Sequence, residues 1–193
     1  MTDQAKLWHH VVERLAAQAW SCDDASWPVR TVTGSTIGEL LAAYADVSAD
    51  DRAAASRALQ NVSDARSTPP TLDAVAIVHA WLDLRRIDAA LQRPPIDLRS
   101  DVAHFAGHYI VENVVGHIVG QGVGASIVVT GPGFTADVVD GPVDPRVTAR
   151  LTWPMLIGLA AGTTSVAESD LDVVGPHDAM DTFSNAVTRL VRF

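Results

Sequence analysis

Gly120-Gln121-Gly122-Val123-Gly124, followed by Ala125-Ser126-Ile127-Val128-Val129, is where this chain changes its period. Upstream, apolar residues recur every three or four positions. Downstream they come in short runs separated by Gly131-Pro132-Gly133 and Asp140-Gly141-Pro142. The first spacing buries one stripe of a helix, and the second suits strands. The chain is therefore expected to be α+β, with an N-terminal antiparallel helical bundle over 1–120 and a small α+β unit over 121–193. The glycine run lies between a helix and a strand. A dinucleotide loop needs strand, glycines and helix in that order, so the run reads as an interdomain hinge.

Five helices are expected before the glycines. Leu7, Val11, Leu15 and Ala19 stripe the first, over 5–20. Thr36 with Glu39 three residues on is a capping box for the second, which buries Ile37, Leu40, Leu41 and Tyr44. Ser48 and Asp51 open a third, to about Val62, before the break Ser67-Thr68-Pro69-Pro70. A fourth runs from Leu72 to Leu91, ahead of Pro94-Pro95, and a fifth from about Leu98 to Val119. Short connections of this kind suit neighbouring bundle helices.

After the glycines, Ile127–Val129 and Phe134–Val139 read as strands of a meander. Val147, Ala149 and Leu151 alternate with Arg146, Thr148 and Arg150, as in a strand with one buried face. Trp153–Ala161 is expected to be a helix with Pro154 in its first turn and Gly162 as its stop. A last strand over Ser169–Val174 and a final helix striped by Ala179, Met180, Phe183, Val187 and Leu190 complete the pattern.

Composition narrows the function. The chain has 193 residues, enough to bury a real core, and 48% of them are hydrophobic. Its net charge of −9, with Lys6 the only lysine, argues against nucleic acid, whose phosphates require clustered basic residues. Cys22 is the sole cysteine, so neither an internal disulfide nor a thiolate metal cage is available. Asp23 and Asp24 beside it should raise the thiol pKa, which reads as a spectator. With no signal-type N-terminus and no apolar run long enough for a bilayer, a cytoplasmic protein without a membrane partner is expected.

The chemical lead is a row of side chains on the fifth helix. His104, His108 and Glu112 recur every four residues, each about 40° around the axis from the one before. Imidazoles so placed can share a divalent metal such as zinc, and the carboxylate extends the donor set. His79, beside Trp81 on the fourth helix, is a further candidate ligand. The same histidines also suit ordinary packed or solvated positions.

Several stretches resemble the maleylpyruvate isomerase-like, mycothiol-dependent family. They are Trp27-Pro28 with Thr36-Ile37-Gly38-Glu39-Leu40-Leu41, Val78-His79-Ala80-Trp81 with Asp83-Leu84-Arg85, and Arg93-Pro94-Pro95-Ile96-Asp97-Leu98. The resemblance implies a DinB-like bundle that holds a divalent metal. It also implies a low-molecular-weight thiol cofactor and isomerase or transferase chemistry on a small acidic metabolite. His79 matches the last family ligand. Val75 stands where a glutamate is expected, and Leu41-Ala42-Ala43-Tyr44 where the second helix offers a histidine. Two of the usual ligands are thus missing, and a metal would depend on His104, His108 and Glu112.

The C-terminal part is similar to sterol-carrier-like units at Val147–Thr152 through Gly162 and at Asp172-Val173-Val174-Gly175. This implies the alternative function, a non-catalytic carrier of an apolar ligand lined by Trp153, Met155, Leu156, Ile157, Met180 and Phe183. A small-molecule ligand is common to both readings, and a homodimer through bundle helices is a further expectation.

Overall fold

The computed structural model describes residues 3–66, 69, 72–94, 100–166, 169 and 171–191. Among them the fold is α+β, with helices dominating the first part and a four-stranded sheet in the second. The chain forms two compact units, Met1–Ile96 and Asp97–Phe193.

The first unit contains α1 (Asp3–Ser21), α2 (Ile37–Ala45), α3 (Arg52–Asp64) and α4 (Ala74–Ala90). Thr36 caps α2 through the expected box, its hydroxyl accepting from the Glu39 N–H while the Glu39 carboxylate accepts from the Thr36 N–H. Asp51 and Asp73 cap α3 and α4 one-sidedly, each carboxylate accepting from the N–H three residues on. Helix α1 packs on α3 and α4 through Val11, Val12, Leu15 and Ala19, all essentially buried. Helix α4 is unusual. It buries Ile77, Val78, Trp81, Leu82 and Leu84, and with them four charged residues: Asp83, Arg85, Arg86 and Asp88.

The second unit contains α5 (Asp101–Val119), β1 (Gly124–Thr130), β2 (Ala136–Asp140), β3 (Arg146–Thr152), α6 (Trp153–Ala161), β4 (Asp172–Val174) and α7 (Ala179–Val191). The sheet order is β2-β1-β3-β4. Ala125, Ile127, Val129, Val147, Ala149 and Leu151 point to the helices and are buried, while Arg150 and Thr152 on the other face are exposed. Helices α5, α6 and α7 supply the covering layer. Pro154 in the first turn and Gly162 after the last bound α6 as expected.

Three expectations change. The sheet is not a meander, because β3 lies beside β1 and parallel to it, on the side away from β2. The link from Asp140 to Arg146 therefore crosses the start of β1. There the Gly124 N–H donates to the Pro145 carbonyl at 2.9 Å, and a β-carbon on Gly124 would collide with the Pro142 carbonyl oxygen. Only glycine lets the two backbones approach so closely. Next, the glycine run is a turn inside the second unit, not a hinge between units: Gly120 caps α5, and α5 packs on β1 and β2. The sequence boundary at 120/121 marks the change of backbone period; the compact units divide earlier, between Ile96 and Asp97. Finally, Met180 is 41% exposed, and Thr182, Phe183, Ala186 and Val187 form the buried stripe of α7. The breaks expected at Ser67, Thr68, Pro70 and Pro95, and the helix start at Leu98, lie outside the described residues.

Candidate functional site

Charges on α4 cannot all reach water, because the helix is apolar around most of its circumference. They pair instead. The Arg86 Nη1 lies 2.5 Å from Asp83 Oδ1, and the Tyr44 hydroxyl donates to Asp83 Oδ2 at 2.7 Å. Burial, with the Asp83 charge second, pushes the Tyr44 phenol well above its ordinary range, so it stays protonated as the donor. Two residues further on, Arg85 Nη2 is 3.5 Å from Asp88 Oδ2, with its guanidinium over the Trp81 ring.

Asp88 extends this second pair toward α1. Its Oδ1 accepts from Gln18 Nε2 at 2.7 Å, and Gln18 Oε1 accepts from Arg93 Nη1 at 2.7 Å. Arg93 Nη1 also reaches Ser21 Oγ at 3.0 Å. Around these groups, Arg14, Ala17, Gln18, Ser21, Leu84, Arg85 and Arg93 line a cavity of about 260 Å³. Among the described residues three arginines line it, of which Arg85 is paired with Asp88, within a chain of net charge −9. Guanidinium forks match carboxylates two bonds at a time, so the arrangement is suited to binding an organic anion.

Sequence reasoning missed this site because Arg14 and Gln18 on α1 are far along the chain from Arg85 and Arg93. A signal existed in Asp83-Leu84-Arg85-Arg86-Ile87-Asp88, where four charges interrupt an otherwise apolar helix.

The expected metal residues are placed differently. His79 lies on α4 of the first unit, half-buried. Burial lowers its pKa and Arg86 lowers it further, against the opposing pull of Asp83 and Asp73. The nearby Asp83 carboxylate is committed to Tyr44 and Arg86. Val75, one turn before His79 on α4, offers no donor to complete a ligand set there.

His104, His108 and Glu112 stand on α5 of the second unit, all exposed. The two imidazoles meet the Phe134 ring edge-on, with centroids 5.9 and 5.1 Å away. Among the described residues, no three His, Cys, Asp or Glu side chains gather as a metal site. Trp153, Leu156, Ile157 and Phe183 are buried as core, with Trp153 4.6 Å from Phe134 between ring centroids. Cys22 is buried, and burial first, with Asp23 assisting, raises its thiol pKa. Among the described residues no helix is long and apolar enough to cross a membrane.

His79 makes a pH prediction. Its folded pKa is below the ordinary value, so the folded state binds its proton less readily than the unfolded chain. The stability this group permits is complete above about pH 6.5 and declines as pH falls through the folded value. Urea titrations from pH 7.5 to 5 should show that decline, with a shallower slope in His79→Gln. An unchanged slope in the variant would remove His79 as the cause.

No protein-family model, curated protein or solved structure matches the chain.

Proposed function

We propose that this chain binds a small acidic metabolite and that the helical unit holds its anionic group. The observation that supports this is the convergence of Arg14, Arg85 and Arg93 on one cavity in an acidic chain. The reading retains the substrate class implied by the resemblance to maleylpyruvate isomerase-like proteins. It assigns recognition to guanidiniums, not to a metal at His79. Arg93 is the principal contact: Gln18 and Ser21 hold it, and Asp88 orients Gln18.

Calorimetric titration with benzoate, succinate and inorganic phosphate tests the proposal. At least one should bind saturably near one equivalent, and more weakly as salt rises. Arg93→Gln should weaken that binding about tenfold or more, the scale of one charge-assisted contact. Arg189→Gln, a cation of the second unit, should leave it unchanged. Binding by none of the three acids, or binding indifferent to Arg93, overturns the proposal.

A further inference from the structure

The three guanidiniums of the helical cavity are not equivalent toward a ligand. Arg85 and Asp88 form a buried pair, their side chains 7% and 2% exposed, so the Arg85 charge already faces a carboxylate. Arg14 is exposed on α1, where solvent screens its charge. Arg93 is different. Among the described residues its hydrogen-bond partners are the uncharged oxygens of Gln18 and Ser21, and both bonds use Nη1. The edge of the fork formed by Nε and Nη2 engages none of the described residues. That edge presents two parallel N–H groups, the arrangement that takes both oxygens of one carboxylate.

The rest of the lining is apolar. Leu84 and Ala17 face the cavity from α4 and α1, together with the aliphatic stems of the arginines. A volume of about 260 Å³ lies just below the range of roughly 300–1,000 Å³ typical of pockets for drug-sized ligands. One anchored carboxylate position beside a compact apolar wall describes an amphipathic acid.

We infer that the ligand of this site is a monocarboxylic acid with a compact apolar body, its carboxylate on the Nε–Nη2 edge of Arg93 and its body against Leu84 and Ala17. The inference rests on the acidic-metabolite reading above and narrows it. A second carboxylate or a phosphate would bring further negative charge toward the buried Asp88 without a second fixed cation to receive it. An aromatic or branched aliphatic body instead removes apolar surface from water.

Benzoate, succinate and inorganic phosphate, titrated into the full chain by calorimetry, separate the possibilities. Benzoate should bind at least about tenfold more tightly than either of the others. Ala17→Asp puts a carboxylate on the apolar wall at an exposed helix position, so the fold should survive, as circular dichroism would verify. It should weaken benzoate about tenfold or more, as should Arg93→Gln. If succinate or phosphate binds as tightly as benzoate in an Arg93-dependent way, this inference fails while the acidic-metabolite reading stands. If benzoate binds but neither variant weakens it, the assignment of this cavity fails. If none of the three binds, both fail.

Discussion

Arg86→Ala is expected to cost about 3–5 kcal/mol of folding stability, measured by urea titration at neutral pH. The Arg86 and Asp83 side chains are 6% and 11% exposed. Removing the guanidinium leaves the Asp83 carboxylate in a site with little water, held among the described residues by the Tyr44 hydroxyl. That uncompensated charge, more than the lost bond, accounts for the size of the effect. The combined change Tyr44→Phe, Asp83→Leu, Arg86→Met removes every member together and should lie much nearer wild type, because paired charges gain little over well-packed apolar groups. A loss below about 1 kcal/mol in the single variant would mean that water reaches Asp83 freely.

The network also explains which parts of this protein were legible in its sequence. Local signals were read directly. The Thr36–Glu39 box, the Pro154 and Gly162 bounds of α6, and the alternation Val147, Ala149, Leu151 each depend on residues a few positions apart, and all appear as expected. Features set by tertiary pairing were not. The parallel placement of β3 beside β1 depends on a crossover at Gly124, and strand periodicity carries no information about neighbours. The cavity joins Arg14 and Gln18 to Arg85 and Arg93 across some seventy positions, as the Gln18–Asp88 separation of 70 shows. Regular spacing of His104, His108 and Glu112 was visible, but spacing on one helix does not say what packs against it.

What packs there is Phe134, and Phe134→Ala should cost about 3–5 kcal/mol. The residue follows the Gly131-Pro132-Gly133 turn between β1 and β2 and is 2% exposed. Its ring lies over Gly107, where a β-carbon would come within 2.6 Å of the ring, and against Trp153. His104 and His108 flank that notch edge-on. Four-residue spacing thus leaves a gap on α5 that glycine deepens and an aromatic ring fills. Truncating Phe134 opens a cavity among Gly107, Trp153 and the two imidazoles, and the surrounding helix and strands can close it only in part. His104→Ala with His108→Ala should cost far less, because both imidazoles are exposed and each aromatic contact contributes about 0.5–1.5 kcal/mol. Thermal and urea denaturation of the three proteins in chelator gives that order. Repeating the series with added zinc tests the other use of the row: stabilisation of wild type that the double variant abolishes would return His104, His108 and Glu112 to metal binding. Equal curves with and without zinc leave the histidines as the walls of an aromatic notch.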